Sequence, residues 1–130
     1  FDLPDREGEI TVFPSRKDGQ LVAVALETFG KGYGGDIGIM VGFDMAENLL
    51  TGIGVTTMKE TPGLGARIAK HGFTSQFRNH APDNLALVSQ GGDIDAVSGA
   101  TFSSLGTLEA IGKAHVIFTA LKDDFSAAWQ

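Results

Sequence analysis

The chain has 130 residues, enough for one domain with a buried core but too few for two. Hydrophobic residues make up 42% of it and charged residues 20%, as in folded globular proteins, and a net charge of −6 without a Lys/Arg cluster argues against nucleic acid as a partner. The absence of cysteine excludes disulfides, thiolate zinc sites, iron–sulfur clusters and cysteine nucleophiles.

The first half of the chain has the pattern of an antiparallel sheet. Four segments are rich in alternating or β-branched apolar residues, and they cover residues 9–13, 21–28, 36–44 and 49–57. Pro14 is expected to close the first strand. The turn at residues 17–20 contains Asp18-Gly19, which favours a hairpin, and a glycine-rich loop covers residues 30–35. Strands joined by such short connections predict an antiparallel sheet.

The second half of the chain changes to loops and helices. Residues 60–65 predict a tight loop, followed by helical stretches at residues 66–70 and 72–78. Residues 85–89 and 94–97 are expected to add short strands. From Thr101 to about residue 124, apolar residues recur every three or four positions, which predicts a long C-terminal helix. These elements predict a single α+β domain over residues 1–130, with helices packed on the sheet.

The most informative segment is the turn Ser98-Gly99-Ala100-Thr101, which opens this helix. Ser98 or Thr101 could cap the helix by accepting hydrogen bonds from free backbone N–H groups. The same N–H groups and the positive end of the helix dipole could instead bind a phosphate, with further donors from the hydroxyls of Ser103 and Ser104. Neither a GxGxxG nor a P-loop motif occurs in the chain. Helix physics alone leaves both interpretations open.

The segment from Asp95 to Thr101 resembles the D-x-x-[ST]-G-A-[TS] acceptor motif of FMN-binding domains. Such domains occur in the G subunit of Rnf electron-transport complexes and in the C subunit of sodium-pumping NADH:quinone reductase. Two further segments are similar to motifs of this family in the same order, with E-T-P-G-L-G at residues 60–65 and G-Y-x-G-x-I at residues 32–37. The resemblance implies that Thr101 carries FMN through a phosphoester. It also implies that a dedicated flavin transferase installs the FMN and recognises Asp95 as part of its signal.

The same resemblance implies which other residues surround the FMN. Beside the attachment residue, the turn contributes Ser98, Gly99 and Ala100. We expect the flavin ring to rest against the loop at residues 60–65, where glycine lets backbone N–H groups approach the ring. The residues of this loop that we expect to border the flavin are Glu60, Thr61, Gly63, Leu64 and Gly65.

The family resemblance also implies a role and a location. The domain would be an electron carrier within a membrane-bound, ion-translocating oxidoreductase of the Rnf type, working with the other subunits rather than as an enzyme by itself. We expect it at the periplasmic or extracellular face of the bacterial inner membrane. No apolar run approaches the ~18 residues of a membrane span. We therefore expect no direct lipid insertion by this segment. The family resemblance implies a membrane anchor ahead of Phe1 that is absent from the chain.

Two alternative functions remain at this stage, a stand-alone soluble flavin reductase and a module that binds a phosphorylated ligand reversibly at residues 98–101. No residue is nominated as catalytic, because Ser98 lacks the G-x-S-x-G context of a serine nucleophile. No metal site is expected either, since His71, His80 and His115 do not have metal-ligand spacing.

Overall fold

The fold is a four-stranded antiparallel sheet with one long helix packed across it. A computed structural model describes residues 1, 3, 8–31, 35–58, 71–83, 85–97 and 100–129. The strands are β1 (Val12–Lys17), β2 (Gln20–Lys31), β3 (Asp36–Asp44) and β4 (Leu50–Met58), and they lie in the sheet in that order. A short helix, α1 (His71–Thr74), runs into a 3₁₀ turn at Ser75–Phe77, a second 3₁₀ turn covers Val88–Gln90, and the long helix is α2 (Thr101–Trp129). The predicted α+β class is confirmed.

The β1–β2 hairpin forms as predicted, but its first strand has different bounds. Asp18 and Gly19 have φ angles of 52° and 80°, the left-handed conformations that a two-residue hairpin turn requires. The prediction that Pro14 closes the first strand was wrong, because β1 continues through Pro14, which lies opposite Val24. A proline is tolerated there because β1 is an edge strand and needs no backbone donor on its outer side.

The core lies between the sheet and α2. On β3, the alternating residues Ile37, Ile39, Val41 and Phe43 are all fully buried, which places one face of the strand against the helix. The Phe43 ring stacks on Phe118 of α2 with centroids 4.4 Å apart and planes within 6°. The predicted alternation along residues 36–44 is thereby confirmed.

The helix α2 approaches β2 most closely through small residues. A Cβ built on Gly30 would lie 1.7 Å from the carbonyl oxygen of Gly106, so the two backbones are in direct contact. The buried Thr28 donates from Oγ1 to the carbonyl oxygen of Ala110 at 2.5 Å. At the rim, Lys113 Nζ donates to the carbonyl oxygen of Phe29 at 2.8 Å. These contacts fix the position of α2 on the sheet, and with it the position of its first residue.

The helix α2 also extends beyond the predicted end near residue 124, since it continues to Trp129. Phe125 is fully buried and packs edge to face with the Phe1 ring at a centroid distance of 4.9 Å. Trp129 contacts the same Phe1 ring at 5.2 Å. Packing of Phe1 against Phe125 and Trp129 therefore stabilises the last turns of α2, beyond the predicted end.

The predicted short strands at residues 85–89 and 94–97 were wrong. Within the described ranges, these segments share only an isolated parallel bridge between Leu87 and Ile94. Between them the chain forms the 3₁₀ turn and then Gly91 in the left-handed region, with φ of 89°. The Gly92 N–H donates to the carbonyl oxygen of Leu87 at 2.9 Å, which closes the loop before a ladder can extend.

The predicted helix at residues 72–78 corresponds to α1 and the 3₁₀ turn that follows it. The predicted helical stretch at residues 66–70 lies outside the described residues. Among the helices that the structure describes, none has the length and apolarity needed to cross a bilayer.

Candidate functional site

Thr101 is the first residue of α2, and its side chain is exposed to solvent. Ala100, immediately before it, is only 6% exposed and packs into the domain. The dipole of an α-helix places partial positive charge at its N-terminal end. A phosphate attached to Thr101 Oγ1 would therefore lie in a favourable electrostatic environment.

The turn before Thr101 is closed from inside by Ser104. The Ser104 side chain is fully buried, and its Oγ accepts a hydrogen bond from the N–H of Val97 at 3.1 Å. The same hydroxyl donates to the carbonyl oxygen of Ala100 at 2.9 Å. The Ala100 N–H in turn donates to the carbonyl oxygen of Val97 at 2.9 Å. Ser104 therefore holds both ends of the turn that carries the acceptor motif.

This geometry corrects one expectation about phosphate donors. Ser103 and Ser104 are 1% and 0% exposed, so neither hydroxyl is presented at the surface beside Thr101. The Ser103 Oγ has no hydrogen-bond partner within the described part of the chain. Of the three hydroxyl-bearing residues on the first turn of α2, Thr101 is the exposed one.

Asp95 has an exposed side chain, and its backbone is held by the side chain of Gln76. The Asp95 N–H donates to Gln76 Oε1 at 2.7 Å, and Gln76 Nε2 donates to the Asp95 carbonyl oxygen at 3.0 Å. Gln76 lies in the 3₁₀ turn Ser75–Phe77. The sequence did not single out Gln76, since a polar residue in a short helical segment ordinarily faces solvent.

A histidine–carboxylate pair fixes the loop that leads to Asp95. His80 Nε2 lies 2.8 Å from Asp93 Oδ2, and its Nδ1 lies 2.6 Å from the carbonyl oxygen of Ala81. Burial lowers the pKa of His80, but the hydrogen bonds to Ala81 and Asp93 and the Coulomb attraction of the Asp93 carboxylate together raise this pKa above its ordinary value. The backbone of His80 also pairs with β4, where its carbonyl oxygen accepts from the Leu50 N–H at 2.9 Å.

Several predicted site residues lie outside the described residues. Among them are two of the turn and all those of the 60–65 loop, namely Ser98, Gly99, Glu60, Thr61, Gly63, Leu64 and Gly65. The same holds for residues 32–34 of the G-Y-x-G-x-I segment. Of the predicted site, the structure thus describes Asp95, Ala100 and Thr101.

A cavity of about 360 Å³ lies elsewhere on α2, where Asp83, His115 and Lys122 are among its lining residues. His115 is fourteen residues beyond Thr101 along the helix, which corresponds to about 21 Å at the rise of an α-helix. This cavity is therefore separate from the acceptor turn. In the ranges that the structure covers, no three His, Asp or Glu side chains gather as metal ligands would.

Comparison with known proteins identifies relatives of the chain. A sequence model described as an FMN-binding domain matches residues 32–115. The chain is 35% identical over 96 residues to the G subunit of the ion-translocating oxidoreductase complex of Methanosarcina acetivorans, which covers 74% of this chain and 51% of the relative. It is 39% identical over 100 residues to the G subunit of the complex of the same name from Haemophilus influenzae, with 71% of this chain and 48% of the relative covered. The chain spans about half the length of the curated relatives it matches.

Solved structures show the same fold. The chain superimposes on the crystal structure of NqrC from Shewanella oneidensis with a TM-score of 0.77 at 26% sequence identity, over 94% of this chain and 63% of that one. It superimposes on the C subunit of the Na(+)-translocating NADH-quinone reductase of Parabacteroides distasonis with a TM-score of 0.61 at 26% identity, over 90% of this chain and 61% of that one. The family match covers the whole segment from the glycine-rich loop to the middle of α2, including the exposed Thr101, and on this basis the chain belongs to the FMN-binding domain family.

Proposed function

We propose that this domain is an electron carrier that holds FMN covalently, through a phosphoester between the FMN phosphate and Thr101 Oγ1. The observation that carries the proposal is the exposed side chain of Thr101 at the start of α2, in a segment that resembles the family's acceptor motif and lies within residues 32–115 of the family match. Ser104 holds Val97 and Ala100 by hydrogen bonds, while the Thr101 side chain is exposed. When bound, FMN supplies reversible electron transfer through its isoalloxazine ring.

The attachment requires a donor and an enzyme. A flavin transferase would use an FMN-containing dinucleotide, and the bond formed joins Thr101 Oγ1 to the FMN phosphorus. The bond broken joins that phosphorus to the other nucleotide, which leaves, and the Thr101 hydroxyl proton passes to the leaving group. The domain therefore gains the mass of one FMN less one water. Asp95 is proposed as part of the signal that the transferase reads, since its carboxylate is exposed six residues before Thr101.

We further propose that Ser98, Gly99 and Ala100 border the phosphate and that the loop of residues 60–65 borders the ring. Of the proposed phosphate neighbours, Ala100 is the one that the structure describes, and it is small and only 6% exposed.

The proposed physiological setting is a membrane-bound, ion-translocating oxidoreductase in which the domain relays electrons between other subunits. This setting is supported by the relatives, which are named as G subunits of ion-translocating oxidoreductase complexes. A further relative, 30% identical over 105 residues, is the G subunit of the proton-translocating ferredoxin:NAD(+) oxidoreductase complex of Clostridium ljungdahlii. We propose a periplasmic or extracellular location for the domain and anchorage by a segment beyond this chain.

Co-expression with a flavin transferase, followed by intact-mass measurement, tests the attachment. We expect wild type to gain one FMN less one water, Thr101→Ala to gain nothing, and Thr101→Ser to be labelled because it keeps a hydroxyl. Thr119→Ala is the matched control, since Thr119 is an exposed threonine of the same helix. An unlabelled wild type, or label retained in Thr101→Ala, would contradict the proposal.

The location can be tested with thiol chemistry because the chain has no cysteine. A single Thr119→Cys variant, expressed in intact bacteria with the rest of its complex, should react with a membrane-impermeant maleimide added outside the cytoplasmic membrane. Labelling only after the cytoplasmic membrane is broken would place the domain on the opposite side.

A further inference from the structure

The side-chain amide of Gln76 makes the two hydrogen bonds to the Asp95 backbone that a neighbouring β-strand would make. Its Oε1 accepts from the Asp95 N–H at 2.7 Å, and its Nε2 donates to the Asp95 carbonyl oxygen at 3.0 Å. Both hydrogen-bonding groups of one backbone residue are thus satisfied by one primary amide. A residue of an adjacent antiparallel strand would offer the same donor and acceptor pair.

The amide itself is fixed to the core. Two phenylalanines close to it in the chain, Phe73 and Phe77, are 4% and 0% exposed, and their rings meet edge to face with centroids 5.4 Å apart. Gln76 Nε2 also donates to the carbonyl oxygen of Phe73 at 3.3 Å. Gln76 therefore extends from a short segment that Phe73 and Phe77 anchor in the core, and its amide connects that segment to Asp95.

The residue before Asp95, Ile94, is held by contacts that do not involve Gln76. Ile94 is 1% exposed, its N–H donates to the carbonyl oxygen of Ala86 at 3.2 Å, and its carbonyl oxygen accepts from the Val88 N–H at 2.9 Å. The contact with Gln76 comes next, and Ser104 holds Val97 two residues later. Hydrogen bonds thus hold the backbone at Ile94, Asp95 and Val97.

The contact of Gln76 is with the backbone only. It leaves the Asp95 carboxylate facing solvent, where a second protein could bind it. We propose that Gln76 is a positioning residue for flavin attachment, which holds the Asp95 backbone so that the Asp95 carboxylate is presented to the flavin transferase in one fixed position on the domain. This inference rests on the proposed attachment of FMN at Thr101. Its physical basis is preorganisation, since a partner that meets an already ordered segment does not have to order it.

A loss of preorganisation has a specific kinetic signature. When only a fraction of the acceptor molecules has the competent conformation, apparent binding weakens by that fraction while the bound complex reacts normally. Gln76→Leu keeps nearly the same length and removes both hydrogen bonds to Asp95. We expect the transferase KM for the Leu variant to rise roughly tenfold, with kcat within about twofold of wild type.

Gln90→Leu is the matched control, because Gln90 also lies in a 3₁₀ turn and its side chain is exposed. It should show wild-type KM and kcat. Gln76→Glu is the second variant. Its carboxylate keeps an acceptor for the Asp95 N–H but has no donor for the Asp95 carbonyl oxygen, so we expect its KM to rise as well.

Amide hydrogen exchange measured by NMR on the whole 130-residue chain gives a readout that needs no transferase. In wild type, the Asp95 N–H should be protected, and in Gln76→Leu that protection should be lost while the Ile94 N–H stays protected by Ala86. An Asp95 N–H that exchanges in wild type as fast as an unstructured amide would overturn the inference, even if both Gln76 variants failed to fold.

The outcomes separate the inference from the function on which it rests. If wild type is not labelled at Thr101, the proposed function fails and the inference fails with it. If wild type is labelled and Gln76→Leu is labelled with unchanged KM, the attachment stands and only the role of Gln76 is refuted. A loss of kcat with unchanged KM would also refute it, since positioning before binding acts on KM.

Discussion

Replacing Gly30 by alanine should destabilise the domain at the contact between β2 and α2. The added Cβ would lie 1.7 Å from the carbonyl oxygen of Gly106 and 3.2 Å from the backbone nitrogen of Ala110. Since contacts of Cβ atoms shorter than 3.0 Å essentially do not occur, the helix backbone must retreat by more than 1 Å. That retreat also pulls on the nearby bond from Thr28 Oγ1 to the Ala110 carbonyl oxygen, which is buried.

The expected cost has two parts. Forcing an extra carbon into a well-packed core costs about 1–3 kcal/mol, and here the obstacle is backbone rather than a flexible side chain. Loss of the buried Thr28 hydrogen bond adds about 1–3 kcal/mol if the hydroxyl is left without a partner. We therefore expect the free energy of unfolding to fall by about 3 kcal/mol, which lowers Tm by roughly 10 °C for a domain of this size.

Urea unfolding followed by circular dichroism measures this change. Gly54→Ala is the matched control, because Gly54 lies on β4 and a Cβ built there meets nothing within 4 Å. The free energy of unfolding of the control should stay within about 0.5 kcal/mol of wild type. The control also accounts for the general effect of a Gly→Ala substitution on the unfolded chain. A Gly30→Ala variant as stable as the control would refute the close contact between the two backbones.

With the transferase, Gly30→Ala should also accept FMN more slowly, because Thr101 moves with α2.

Three further substitutions test other parts of the structure. Ser104→Ala should lower the free energy of unfolding by about 1–3 kcal/mol because it leaves the Val97 N–H without its acceptor, and slower labelling of Thr101 in mass spectrometry should accompany the loss. Phe118→Ala should cost about 3–5 kcal/mol in urea unfolding because it removes the ring stacked on the core, and a loss below 1 kcal/mol would contradict that packing. Asp93→Asn should lower stability by no more than about 1 kcal/mol at pH 5–6, since the pair is partly exposed, and have little effect at pH 8–9. This pH dependence follows from the raised pKa of His80. The pair stabilises the folded state fully below the ordinary histidine pKa of about 6.5, and this stabilisation is lost as pH rises through the higher pKa of the folded state. An Asn variant with equal loss at both pH values would exclude that linkage.

The sheet was predictable because its signals are local. The alternation of residues 36–44 and the Asp18-Gly19 turn each reflect the conformation of a few neighbouring residues, and β3 and the first hairpin formed as expected. The end of the first strand was missed because whether Pro14 is tolerated depends on which strand is at the edge, and that is a property of the whole sheet. The short strands at residues 85–89 and 94–97 failed for the same reason, since a ladder needs a partner in register over several residues.

By itself, the sequence determined the fold class, the long C-terminal helix and the likeness of residues 95–101 to an FMN acceptor motif, because each is written in adjacent or periodically spaced residues. Only the tertiary structure decided which hydroxyl at the helix start is open, since Ser103 and Ser104 differ from Thr101 in burial and not in chemistry. It alone also brought Gln76 to the backbone of Asp95, nineteen residues away in the chain. Contacts between distant segments depend on how helices and strands pack, and a single sequence carries no periodic signal for them.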